Sequence, residues 1–547
     1  MARIFKTLAF LLLALLGGAG FAPAARAAEV VVVAHDPGYV TSLARHLQRW
    51  LRQEGIASDV VAPATMAAAL APARVAFLVG FDNPTSAEMD ALRGYRARGG
   101  KLVVFHSASP KLGALMGVRP LGYRAAPEPG RWSAMKFNVS FPEGLPAEIR
   151  QASSVLQRAA PEPGRGRVMA TWCDRAGKPT GDAAWISTAG GFWMTHVLLA
   201  DGDEDLKAQL VAALVGCYAP HLWNCAAFQA RRAAAHRATR ALALRQVPRK
   251  GEIHAVWDHT GCGLYPGRWD KTMRVLREAR VTDLFVNVAG AGFAHYASDV
   301  LPRSKTFAEE GDQLAACLAA ARGTGIRVHA WVLCFNATRA TPARKAEMRQ
   351  NGWFAKTKDG KLSDDYLDPS KPAVQACILR ALDEIQAKYA VSGIHLDFVR
   401  WYEKSAKPAN AAAVISGFVA AARRHVRRPR WLTAAVLGKY PACVASVGQD
   451  WNGWLAGNLV DYVVPMDYAE DPVKFESFLR QHAQVKAHAR RTIVGLGVTA
   501  NESRLDARQV IDQINLVRKY GFPGVSLFDL DVTLEKNVLP YLKLGLW

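Results

Sequence analysis

Beyond its first 27 residues the sequence has no apolar run long enough to span a bilayer. It has no C-x-x-C pair and no H-E-x-x-H, which removes the common zinc signatures. No glycine-rich phosphate fingerprint follows its first strand candidate, where His35-Asp36-Pro37-Gly38 reads as a turn. Acidic residues are scarce beside basic ones. Asp+Glu number 47 against 69 Lys+Arg, a formal charge of +22, which favours acidic surfaces such as envelope polymers, anionic lipid or nucleic acid without choosing among them. What is present is ordinary globular material. Hydrophobic residues make up 50% and charged residues 21% of 547 positions, which excludes a disordered or fibrous chain. The length suggests three or four units, or two with one large barrel.

Arg3 and Lys6 precede the apolar run 8–16, and small residues lead to Ala25-Arg26-Ala27. This is the pattern of a cleaved secretory signal over residues 1–27, so a secreted or periplasmic mature chain is expected, with no stable membrane span after cleavage; an uncleaved membrane anchor is the alternative, because the apolar character fades only gradually. Such a compartment permits disulfides. The eight cysteines are irregularly spaced. Cys217 and Cys225 are the nearest candidates for a pair, and the others read as small buried residues.

Residues 28–220 alternate strand and helix candidates, beginning with the β-branched run Val30–Val33 and the helical spacing Leu43, Leu47, Trp50, Leu51. The alternation predicts a doubly wound parallel sheet of flavodoxin type. It resembles the glutamine-amidotransferase-like modules found beside glycosidase barrels. The elbow where that family places a Cys nucleophile reads His106-Ser107-Ala108-Ser109, so the domain is expected to be structural or ligand-assisting. Residues 221–250 carry Arg231, Arg232, Arg237, Arg240, Arg245, Arg249 and Lys250 with no acid. That predicts a basic helical linker, either a solvated face or a contact for an anionic polymer.

From 251 to 547 eight strand candidates alternate with helices, starting at Ile253, Leu284, Val328, Gly393, Leu432, Tyr462, Thr492 and Gly524. This fits a (β/α)8 TIM barrel, in which functional groups project from the C-terminal ends of strands. Those ends read Trp257-Asp258-His259, Asn287, Trp331 to Asn336, Asp397 to Tyr402, Met466-Asp467-Tyr468 and Phe528-Asp529. Carboxylates among aromatics suit carbohydrate, because cleaving a glycosidic bond takes a proton donor and a second carboxylate, while ring faces stack on sugars. Asp397 and Asp467 are the candidate catalytic pair, with Asp529 and Glu403 weaker. Trp257, Asp258, Asn287, Trp331, Arg400, Trp401 and Tyr468 are the candidate substrate contacts. Strand alternation points His395 and Asp397 inward. Each carboxylate could equally cap a helix or close a turn, the tryptophans could be core, and His254 and His395 read as satisfied core residues.

The segment Gly393-Ile394-His395-Leu396-Asp397-Phe398-Val399-Arg400-Trp401-Tyr402 resembles the G-I-H-L-D-Y-I-R-Y-P signature of the family 10 glycosyl-hydrolase-like proteins. Ala255-Val256-Trp257, Asp283–Val288 with Tyr296-Ala297-Ser298, Val328-His329-Ala330-Trp331, Tyr366-Leu367-Asp368-Pro369 and Asp461–Tyr468 are similar to further family segments, in order. The resemblance implies a glycosidase-type barrel acting on envelope or extracellular glycans, with a catalytic carboxylate at Asp397 and no metal or organic cofactor. The expected function is an exported glycoside hydrolase. Its substrate would be a polysaccharide or oligosaccharide such as peptidoglycan glycan strands or an amino-sugar polymer. The alternative is a non-catalytic glycan-binding protein in polysaccharide export or wall assembly. Nucleic acid is not expected as a partner, since no nucleic-acid module is present.

Overall fold

The computed structural model describes residues 28–36, 38–128, 130–200 and 203–547. Residues 1–27, where a signal segment is expected, lie outside the described residues. The chain divides into two compact units, one ending at Ala233 and the other running Ala234–Trp547. Among the described residues no helix is long and apolar enough to cross a membrane, and no three metal-ligating side chains cluster to hold an ion.

The first unit is built on a nine-stranded mixed sheet. Its parallel half contains Asp59–Val61, Val30–Ala34, Val75–Val79, Lys101–Phe105 and Gly191–Met194, in that spatial order. Because Val30–Val33 are buried on both faces of the sheet, alternate side chains enter two separate cores. Val30 and Val32 pack with Trp50 and Leu51, whereas Val31 and Val33 pack with Met66, Leu70 and Met89. The helix Ser86–Ala97 starts on a capping box, in which Glu88 N–H donates to Thr85 Oγ and Thr85 N–H donates to the Glu88 carboxylate. The doubly wound expectation describes only this half. Strands Pro179–Thr188, Gly166–Cys173, Trp132–Phe137 and Glu148–Ser153 extend the sheet antiparallel, and a separate hairpin pairs Val118–Ala125 with Val155–Pro161. Glu148–Ser153 alternates buried and more exposed side chains, whereas Pro179–Thr188 carries the apolar run Ala183–Ile186. At the elbow after Lys101–Phe105, His106 holds a left-handed backbone, φ 47°.

The second unit is a closed barrel of eight parallel strands: Ile253–Asp258, Asp283–Gly290, Arg327–Leu333, Gly393–Asp397, Trp431–Leu437, Tyr462–Met466, Val494–Gly497 and Gly524–Phe528. Closure comes from the first strand, which pairs with both the second and the eighth. Outward side chains, such as Ile394, Leu396 and Val463, form one continuous core with the surrounding helices. Inward ones, such as Ala255, Trp257, Phe285, Trp331 and Val464, fill the barrel. His395 is fully buried among the latter, where its Nε2 accepts from Trp257 Nε1 at 2.9 Å and its Nδ1 meets Thr433 Oγ at 2.8 Å. Burial holds its pKa well below the usual imidazole value, so it is a neutral core residue. All eight cysteines are free thiols, so the Cys217–Cys225 bond expected from proximity is absent.

Candidate active site

Asp397 ends the fourth strand and faces the barrel mouth at 5% exposure. Two N–H groups hold its carboxylate. Phe398 N–H donates to Oδ1 at 2.6 Å and Trp331 Nε1 donates to Oδ2 at 3.2 Å. The first contact follows from a sharp turn: Phe398 takes φ 49°, a left-handed conformation that is costly for an aromatic residue. Burial pushes the Asp397 carboxyl above the usual carboxylate range, while Arg400 and the two N–H donors pull the other way. Arg400 itself lies over the Phe398 ring at 4.5 Å.

The second carboxylate at this mouth is Asp529, just past the eighth strand. Barrel closure places it beside the first strand. Leu530 N–H donates to Trp257 O at 2.8 Å, His259 N–H donates to Asp529 Oδ1 at 3.2 Å, and Asp529 N–H donates to Thr499 Oγ at 3.1 Å. Burial, reinforced by the nearby Asp258 charge, pushes the Asp529 carboxyl up to about 8, and the backbone N–H groups of His259 and Leu530 do not offset this. The two carboxylates share an aromatic wall. His259 packs on Trp331 and on Phe528, each with centroids 5.8 Å apart. Tyr468 stacks on Phe528 at 5.6 Å. The Tyr468 hydroxyl is pushed far above its usual range by burial first, then by the charges of Asp397 and Asp529. His259 is held down to about 4 by burial and Arg339, so its ring is neutral at ordinary pH.

The expected pairing of Asp397 with Asp467 is not what the structure places. Residues 462, 464 and 468 of the sixth strand and its extension face the barrel, so 463, 467 and 469 face the helices. Asp467 is fully buried there, and both its oxygens lie 3.1 Å from His482 Nε2. The backbone opposite must be Gly438, since a Cβ at that position would sit 1.9 Å from Asp467 Oδ1. Asp258 is also sealed away. It accepts from Thr260 Oγ, Gly261 N–H and Gly263 N–H at 2.8, 3.1 and 2.9 Å, and so closes the first loop. Asn287 is fully buried and donates to His259 O at 3.1 Å, positioning that loop. Trp257 lies within the barrel core, and Trp401 packs outward with Nε1 donating to Ala411 O at 3.3 Å. Of the expected residues, Trp331, Asp397, Arg400 and Tyr468 therefore meet at the mouth. Asp529 and His259 join them. The available signal for Asp529 was its position at a strand end, a feature it shared with several other acids.

The comparisons with known proteins bear on this unit. Residues 255–417 match the family model Glycosyl hydrolase-like 10. No curated protein matches the chain. Among solved structures, the catalytic domain of beta-amylase from Paenibacillus polymyxa is 10% identical over 55% of this chain and 98% of that one, with a TM-score of 0.42. A class V chitinase from Pseudomonas fluorescens Pf-5 is 13% identical over 54% and 99%, with a TM-score of 0.36. Alpha-L-fucosidase isoenzyme 2 from Paenibacillus thiaminolyticus is 12% identical over 54% of this chain, with a TM-score of 0.37, and the match spans about half of that chain, 48%.

Proposed function

We propose that the protein is an exported glycoside hydrolase that cleaves an envelope or extracellular polysaccharide, with Asp529 and Asp397 as its carboxyl pair. The observation that carries the reading is the contrast between two carboxyl groups in one aromatic mouth. Asp529, pushed up to about 8, keeps its proton at neutral pH, as a general acid must in order to protonate a leaving glycosidic oxygen. Burial raises the Asp397 carboxyl too, but Arg400 and two N–H donors oppose that rise and favour the carboxylate, where Asp529 has a neighbouring acid in place of a cation. In that form it stabilises positive charge developing at the anomeric carbon, as nucleophile or as base toward water. Trp331 positions Asp397 through its indole N–H, and Tyr468, Phe528 and His259 offer ring faces to a sugar. The family match over residues 255–417 supports the same reaction class, and the signal pattern of residues 1–27 supports export.

The test is mass spectrometry of products released from a panel of bacterial glycans by the wild type, Asp397→Asn and Asp529→Asn. Loss of product in both variants, with saturable glycan binding kept, is the expected result. Unchanged turnover in either variant removes that residue from the mechanism. Saturable binding by the wild type with no new reducing ends from any glycan leaves a binding protein instead of an enzyme.

A further inference from the structure

Next to the mouth, the loop after the fourth strand forms one side of a cavity of about 520 Å³ whose walls include Lys358, Glu403, Ser405, Lys407 and Ser446. Lys358, in the turn of the hairpin Phe354–Lys356 with Leu362–Leu367, and Ala445 and Ser446 of the helix Ala442–Val447 make the rest of the wall, and backbone bonds tie the hairpin to the loop: Lys358 N–H donates to Lys404 O at 3.0 Å and Ala406 N–H to Lys356 O at 2.8 Å. Aromatic rings connect this cavity to the carboxyl pair. Phe398, which follows Asp397, lies 6.2 Å from Tyr366, and Tyr366 stacks on Tyr402 at 4.0 Å and 3°, immediately before Glu403.

Two features of the cavity ask for a ligand. Ser405 is fully buried and lines the space, yet its hydroxyl has no hydrogen-bond partner. A buried polar atom in a protein is normally satisfied, and an orphan in the wall of a cavity marks a missing partner. Two ammonium groups also share the cavity with a single carboxylate, that of Glu403. Lys407 is held below its usual range by burial and then by the charge of Lys358, and Glu403 only partly offsets this. An anion between the lysines would relieve both their repulsion and the unmet serine donor.

We infer that this cavity is a subsite for a carboxylate or similar oxyanion carried by a sugar of the glycan, held by Lys358, Lys407 and the Ser405 hydroxyl. The inference rests on the glycan-cleaving reading of the barrel and adds an acidic substituent to its substrate class. The tyrosine pair gives the intervening sugar a stacking surface, and the carboxyl pair lies at the other end of the same path.

The experiment uses the full-length chain carrying Asp397→Asn, so that probes bind without turnover. Calorimetric titration compares three probes: a neutral N-acetylglucosamine oligomer, a peptide-free muramyl glycan of equal length with its lactyl carboxylates, and inorganic phosphate. The carboxylated glycan should bind about tenfold tighter than the neutral one, and added salt should narrow the gap. In the further variant Lys358→Gln/Lys407→Gln, checked for an unchanged melting temperature, the ratio of the two affinities should fall to about one. A ratio near one in the unsubstituted lysine background, a ratio insensitive to the lysines, no binding of either glycan, or capture of free phosphate with no preference for the acidic glycan would each overturn the subsite. Product release by the wild type separates the two readings. A charge preference without product from any glycan leaves the subsite and removes the hydrolase, whereas product without a charge preference does the reverse.

Discussion

The reading of Asp529 as a proton-holding acid makes a prediction about stability as well as rate. Its carboxyl ionises near 3.8 in the unfolded chain and is pushed up to about 8 in the folded one. A group whose folded value is raised contributes stability that is fully present below the unfolded value and is lost as pH rises through the folded value. The native barrel should therefore lose stability between about pH 4 and about pH 8 on account of this one residue. At about 1.4 kcal/mol per unit, the full interval amounts to on the order of 5 kcal/mol. The side chain is only half-buried, and water at the mouth screens part of that cost, so roughly 2–3 kcal/mol is the expected size. Asp529→Asn keeps the shape, accepts from His259 N–H and never ionises. Near pH 9 it should raise the melting temperature of the barrel by about 5 °C relative to wild type, and near pH 4 it should change it little. Scanning calorimetry at both values, on the transition that carries the barrel, makes the comparison. The same variant should lose glycan hydrolysis at every pH, so stability rises where activity vanishes. A variant that is no more stable than wild type at the alkaline end would show that ionising Asp529 costs the fold nothing, so that its carboxyl is not raised, and the assignment of the acid would fail.

Asp397→Asn should abolish hydrolysis while leaving far-UV dichroism close to wild type, because the substitution is isosteric and its one amide oxygen still accepts from one of the two donors, Phe398 N–H or Trp331 Nε1. Trp331→Phe removes one of the donors that favour the Asp397 carboxylate; we expect kcat to fall about tenfold or more with KM less affected, and the acidic limb of the pH–rate profile to move upward as Asp397 becomes easier to protonate. Asp467→Ala leaves His482 buried without its partner, and should cost on the order of 3–5 kcal/mol in urea unfolding with turnover per folded molecule unchanged. Gly438→Ala presses a methyl group into the Asp467 carboxylate, so it should destabilise in the same assay without altering the pH–rate profile. Both outcomes separate Asp467 from the chemistry.

The sequence by itself determined the order of the barrel. Eight apolar segments separated by amphipathic helices can bury both faces of each strand in only a few ways, and each of the eight starting positions falls within two residues of the observed strand. It also determined that His395 and Asp397 share a face, because side chains in a strand alternate whatever surrounds it. It could not determine which face of the sixth strand turns inward, since 463, 464 and 465 are all apolar and no polar position marks the outside. That one choice sends Tyr468 into the mouth and Asp467 into the helix layer. Nor could it bring Asp529 to Asp397, because the two lie 132 positions apart in the chain (529 − 397) and meet only when the eighth strand closes on the first. In the antiparallel half of the first unit, Val168–Trp172 and Ala184–Ser187 read as strands, whereas Trp132–Phe137 and Glu148–Ser153 stayed illegible, and the antiparallel sense of all four was set by pairing between distant segments. Local chemistry is written in local residues. Which carboxyl groups come to one barrel mouth, and so what each does with a proton, is a property of the closed barrel.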